Sequence, residues 1–456
     1  MIYTNMTGRR IHILLLAAVV AMATAAVSCA PDWMDEMVPT PYDTQEQQGP
    51  LPGRDVSTDT RKVMLLYSAG YNSLSSYLKS DIEELCTGWA PKNRRSDDVI
   101  LVYSHLTSRS GDYKTKTSPV LFRVYSNESN EVIQDTLVVY GEDVISASAR
   151  QLSSVLSYVR DEFPAQSYGL VFSSHATGYL PSGFYAKPDS YTFTPAKMFR
   201  QGQERGWSPV PVPYVEPVHD PRLPAVKSIG QDVVGRQSYE IDIHDFAEAI
   251  PMKLDYILFD ACLMGGIEVA YELTEKCDIV GFSQAEVLAE GFNYSTLASH
   301  LLGNKPSSDP VSVCRDYFDQ YIGQSGVYQS ATISLVNCNR LGTLTELCEE
   351  LFEKYHDQIT TLSPSKVQRF YRSSHHWFYD LESILVNAGI NDSELQKLHD
   401  ALDECIIYKG ATPNFMNEFA ISTFSGLSMY LPSHGHAELD KFYQTLKWNK
   451  ATRLVK

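Results

Sequence analysis

A histidine and a cysteine stand at matching places in two separate stretches of the chain. Gly169-Leu-Val-Phe-Ser-Ser-His175 sets the histidine just past a short apolar run, and Asp255-Tyr-Ile-Leu-Phe-Asp260-Ala261-Cys262 sets the cysteine just past another. A thiolate is a strong nucleophile. An imidazole within reach can take the thiol proton and return it to a leaving amine, so the pair suits acyl transfer. Backbone N–H groups at the ends of the same loops can hold the oxyanion of a tetrahedral intermediate. The apolar spacing after Cys262 predicts a helix over 263–275, which puts the thiol at a helix N-terminus that favours its thiolate. Asp260 either walls a pocket for the side chain preceding the scissile bond or caps that helix. The chain has no P-loop, H-E-x-x-H or G-x-S-x-G, so kinases, zincins and typical α/β-hydrolases lose their usual support.

Both residues need strands to deliver them. Residues 62–69 form a near-continuous apolar run bounded by Gly70 and Asn72, as in a strand buried on both faces. Leu74, Tyr77, Leu78, Ile82 and Leu85 then recur at helical spacing. Further strands are expected at 99–103, 120–125, 132–140, 170–173, 256–259 and 279–282, and further helices at 146–162 and 241–250. Such alternation predicts an α/β fold with a mostly parallel sheet, whose strand carboxyl ends are where ligands bind. The catalytic domain is expected over 61–303, with a Pro-rich insertion or lid at 181–236. Residues 304–456 read as a mostly helical extension or subdomain with one strand-like run at 331–336 and an apolar stretch at 419–431.

His175 after its strand and Asp260-Ala-Cys262-Leu-Met264 with Glu268-Val-Ala-Tyr-Glu272-Leu273 resemble the clostripain-like cysteine peptidases. Asn72-Ser73-Leu74, Ser228-Ile-Gly-Gln-Asp232 and Phe424-Ser-Gly-Leu-Ser428 extend the resemblance over residues 60–432. It implies the fold of caspases, legumains and gingipains, a three-layer α/β sandwich around a largely parallel sheet. It also implies an endopeptidase cutting after Arg or Lys, with His175 as general acid/base and Cys262 as nucleophile. The N–H groups of Ala176 and Cys262 would form the oxyanion hole. Asp260 and, in Leu288-Ala-Glu290-Gly291, Glu290 would receive the basic side chain. Family members often cut themselves between histidine and cysteine, and Lys187, Lys197, Arg200 and Arg205 offer basic sites there. Two positions depart from the family. Ala176 stands where glycine is common, which matters if φ there must be positive, and Glu290 falls where the family carries a Pro-Gly-Asp-Gly-like run. These motivate an alternative, a catalytically silent lipoprotein that binds peptide or glycan at the cell surface. No cofactor is implied as essential; some relatives respond to calcium, but the chain has no EF-hand loop.

The chain's 456 residues, 43% hydrophobic and 20% charged, suit a large globular core. With 38 basic against 55 acidic residues, its net charge of −17 repels phosphate backbones and attracts basic peptides, so nucleic acid is not expected as a partner; a peptide or protein substrate is what the resemblance implies. Arg9 and Arg10 precede an apolar run at 13–27 that is short for a membrane span and reads as a signal peptide within 1–28. Ala26-Val-Ser-Cys29 resembles the lipobox of bacterial lipoproteins, with Cys29 as the lipidated residue and the Pro- and acid-rich 29–60 as a tether. An exported protein, lipid-anchored to the bacterial membrane and periplasmic or cell-surface, is the expectation. His375-His376 and His434-Gly-His436 lack carboxylates at ligand spacing and read as surface or packing residues, so no metal site is assigned.

Overall fold

The computed structural model describes residues 62–193, 211–214, 222–226, 232–303, 307–372 and 377–456. The signal peptide, Cys29, the tether, Lys197, Arg200, Arg205 and His375-His376 lie outside the described residues.

Nine strands share one sheet: β1 (Lys62–Gly70), β2 (Asp98–Leu106), β3 (Val120–Ser126), β4 (Val132–Val139), β5 (Ser167–Ser173), β6 (Leu254–Asp260), β7 (Cys277–Phe282), β8 (Thr332–Asn337) and β9 (Ile406–Ala411). Their spatial order is β9-β8-β7-β6-β5-β1-β2-β3-β4. The five central strands, β7 to β2, run parallel. Both margins are antiparallel. Every residue of β1 is buried, as a strand covered on both faces requires, whereas the edge strand β4 buries none. From β1 the chain steps one way along the sheet to β2, and from β5 it steps the other way to β6 and β7. Right-handed crossovers therefore set α1 (Ser75–Thr87) on one face, and α3 (Ile243–Ala249) and α4 (Ile267–Glu272) on the other. α2 (Ala149–Glu162) packs beside α3, and α5 (Tyr294–Leu301) beside α1. The result is a three-layer α/β sandwich with a largely parallel sheet. Its direction reverses between β1 and β5, and open α/β sheets bind ligands at the strand carboxyl ends beside such a reversal.

After residue 304 the sequence reading gives one strand, and the structure has a second in the same sheet. β9 alternates half-buried and exposed residues at the margin and presents no apolar run. Inside the insertion, Pro211–Pro213 joins Gln237–Tyr239 and Asp232–Val234 in a small separate sheet. Asp232 fixes its end: fully buried, its Oδ2 accepts the N–H groups of Ser146 and Ala147 ahead of α2.

The Glu268 and Glu272 motif serves packing. Glu268, buried on α4, accepts the Tyr430 N–H at 2.9 Å and the Tyr443 O–H at 2.8 Å. Glu272 accepts the Lys447 N–H at 2.6 Å. Both tie the C-terminal segment to the core. Burial, opposed by the hydrogen bonds, pushes Glu268 up to about 7 from 4.5. Between those values the folded chain keeps a proton that the unfolded chain has lost. The stability this contributes is full below the unfolded pKa and disappears as pH rises through the folded one. The wild-type melting temperature should therefore drop by several degrees relative to that of Glu268→Gln between pH 4.5 and pH 8; parallel profiles would contradict a raised Glu268.

Candidate active site

β5 and β6 are parallel neighbours, with Ser173 level with Asp260. Two residues further on, one strand delivers His175 and the other Cys262, on backbones about 4.8 Å apart where they pair. The loops that follow touch. Gly178 has φ +61°, and a Cβ there would stand 2.4 Å from the Leu263 carbonyl oxygen, so only glycine fits. Leu263 itself has φ 61°, a left-handed conformation costing a leucine about 1–2 kcal/mol. Its N–H donates to the Ala285 carbonyl at 2.9 Å, and the Gly265 N–H donates to that of Ser283 at 2.7 Å. The strained turn beside the sulfur is thus imposed by its surroundings. Ala176 is not among the residues of positive φ, so alanine meets no backbone penalty where the family commonly has glycine. The motive for a silent relative is removed at that position.

The helix after the cysteine starts later than its periodicity suggests. α4 begins at Ile267 with Gly266 as N-cap. Ahead of it the chain pairs with a distant segment: Gly266 bridges Ser428, and the Gly265 carbonyl accepts the Ser428 N–H at 2.8 Å. Cys262 therefore gains nothing from a helix dipole, and Asp260 caps no helix.

The Cys262 side chain is fully buried, and its sulfur accepts the Val287 N–H at 3.0 Å. His175 is buried as well, with Nε2 3.0 Å from Ser73 Oγ in the loop after β1. Asp260 is buried at the end of β6 and accepts the O–H groups of Tyr294 at 2.7 Å and Ser173 at 3.1 Å. Gly291, with φ +62°, lies against this carboxylate, where a Cβ would come within 2.4 Å of it. Burial first, then the charges of Asp260 and Asp81, raises the Tyr294 pKa well above its ordinary value, so the phenol remains a donor. Asp81, buried on α1, is a second carboxylate near Tyr294 that no sequence motif marks. Glu290 is exposed, within electrostatic reach of Tyr77 and Tyr321.

The sequence profile of the clostripain family, peptidase C11, matches residues 66–188 and 218–454. The chain belongs to the clostripain family. It is a cysteine protease of that family, and no curated protein matches it in sequence. Among solved structures it is similar to an inactive zymogen of a C11 protease from Parabacteroides distasonis, at 24% identity and TM-score 0.65 over 86% of this chain and 97% of that one. It is also similar to a secreted C11 cysteine protease from Bacteroides thetaiotaomicron, "iotapain", at 23% identity and TM-score 0.65 over 86% and 99%. A third likeness, at 22% and TM-score 0.62 over 86% and 98%, is to a secreted C11 protease from the same organism in complex with an irreversible peptide inhibitor. At these identities the likeness concerns the fold.

Two further features lie near the thiol. Arg372 makes paired hydrogen bonds to the buried Glu286, at 2.6 and 2.8 Å, one residue before Val287. Burial works against the charge of Arg372, but the Glu286 bonds, with Cys262 adding to them, hold its pKa above the ordinary value. The second feature is part of the insertion. Val226 bridges Leu288 in antiparallel sense, and the Ala289 N–H donates to the Ala225 carbonyl at 2.9 Å.

Proposed function

We propose that this chain is an exported, lipid-anchored endopeptidase that cuts peptides after Lys or Arg through Cys262 and His175. The observation that carries the reading is the register of β5 on β6: His175 and Cys262 each follow a paired strand end by two residues, and the buried carboxylates of Asp260 and Asp81 lie near Tyr294. His175 takes the thiol proton, and the sulfur attacks the carbonyl carbon. The N–H groups of Ala176 and Cys262 receive the oxyanion, and the imidazolium gives its proton to the leaving amine. Water, deprotonated by the same imidazole, then splits the thioester and regenerates the thiol. Arg372 and Glu286 form a neutral pair near the sulfur, and the Ser73 hydroxyl steadies the ring. Asp260 and Asp81 favour a basic side chain. Glu290 at the rim, a methylene longer than the family's aspartate, crowds Arg more than Lys. A fluorogenic panel should show cleavage after Lys, then Arg, far ahead of neutral or acidic residues; the reverse order would remove the pocket assignment.

The secreted relative supports export, and among the described residues no helix is long and apolar enough to cross a membrane. Mass spectrometry of the mature N-terminus should find lipid on Cys29 as the first residue; an unmodified terminus elsewhere would remove the anchor.

Self-cleavage is also expected, at a site suggested by the pairing of the insertion with the segment after β7. Ala225 and Val226 lie alongside Ala289 and Leu288, and the next residue in the sequence is Lys227. The cut should fall between Lys227 and Ser228, rather than after the exposed Lys187 or at 197, 200 or 205. Lys227→Ala should stay one band on a denaturing gel while wild type resolves into two. Unchanged fragments from the variant would place the cut elsewhere.

A further inference from the structure

A small apolar cluster stands apart from the main core. Leu74, Leu78 and Ala289 are buried together, Tyr77 and Leu106 pack against them half-buried, and one side chain of the insertion joins them, that of Ala225. Its carbonyl accepts the Ala289 N–H, and the following Val226 bridges Leu288. The register runs toward the nucleophile: a peptide lying as Ala225 and Val226 do brings its next residue level with Val287, whose N–H bonds the Cys262 sulfur. Ala225 therefore occupies the place of a substrate residue two positions before the one at the scissile bond. Side chains alternate along an extended chain, so that residue faces the same side as the basic one that Asp260 awaits.

We infer that the cleft takes extended peptides by strand pairing with Val287–Ala289, and that Leu74, Leu78 and Ala289 form a subsite selecting a small aliphatic side chain two positions before the basic residue. The inference rests on the endopeptidase reading for the role of that register. Leu78 and Ala289 are at 0% exposure and Leu74 at 2%, so the wall has little room to retreat. A methyl group is accommodated, while an aromatic ring must displace close-packed leucines. Hydrophobic pockets distinguish a methylene by at least about tenfold, and a ring exceeds a methyl group by more than that. Leu106 is a half-buried neighbour of these three, so shortening it opens the subsite without touching its buried floor.

Two readouts on the full chain test this. Lysine acyloxymethyl ketones of sequence Pro-X-Val-Lys should label wild type at least about tenfold faster with X as Ala than as Phe or Trp, and Leu106→Ala should narrow that gap. Amide hydrogen exchange should show the Ala289 N–H protected in wild type and in Ala225→Ser but not in Ala225→Trp. Equal or faster labelling with Phe or Trp would overturn the subsite, as would full Ala289 protection in Ala225→Trp. Should no ketone label a chain whose exchange behaves as expected, the endopeptidase reading falls while the peptide-binding subsite stands.

Discussion

Cys262→Ala should lower kcat/KM on a Lys-ending peptide by at least about a thousandfold, and His175→Ala should do nearly the same. The double variant should be scarcely worse than either single one, because nucleophile and base act as a unit and removing one disables the other. The thiol contributes one buried sulfur beside Val287, whereas the imidazole is a buried ring bonded to Ser73, so His175→Ala removes more packing than Cys262→Ala. Melting curves near that of wild type would separate lost chemistry from lost fold. Activity above about 1% in Cys262→Ala, or strictly multiplicative losses in the double variant, would contradict the dyad.

Asp260→Asn should cost about tenfold to a hundredfold on Lys and Arg substrates, the equivalent of one charge-assisted hydrogen bond of about 1.5–3 kcal/mol. The amide is nearly isosteric, and its oxygen can still accept from Tyr294 and Ser173, so the loss reads charge rather than packing. Asp81 remains and should preserve some preference for cations. The loss should be small on a substrate ending in norleucine, which keeps the four-carbon chain of lysine without its ammonium group. An equal loss on both substrates would mean that Asp260 holds the β6 end together and does not meet the basic side chain.

Much of the scaffold was legible because central parallel strands are covered on both faces and read as unbroken apolar runs, as β1, β5 and β6 do. β9 was not legible, because an edge strand alternates and imitates a loop. The start of α4 departs from its periodicity for another reason. Leu263, Met264 and Ile267 have helical spacing, but pairing of Gly265 and Gly266 with Ser428 holds the intervening chain out of a helix. The loops of His175 and Cys262 could be found as strand ends followed by reactive side chains. Ser73 lies in Asn72-Ser73-Leu74, where nothing in the sequence marks its contact with His175, while Asp81, Glu286 and Arg372 come from distant sequence, where no spacing rule applies. Glu268 and Glu272 were visible as a motif, but only their partners Tyr430, Tyr443 and Lys447 show them to be anchors.

The central claim is that Cys262 is the nucleophile, and mapping the adduct of a lysyl acyloxymethyl ketone by peptide mass spectrometry tests it most directly. Among the described cysteines only Cys86 is half-buried, and the others are buried, so a reagent acting on mere accessibility would choose Cys86. The account requires a single adduct on the peptide bearing Cys262, absent in Cys262→Ala and slowed in His175→Ala. An adduct on Cys86, or peptide cleavage that continues with Cys262 unmodified, would contradict it.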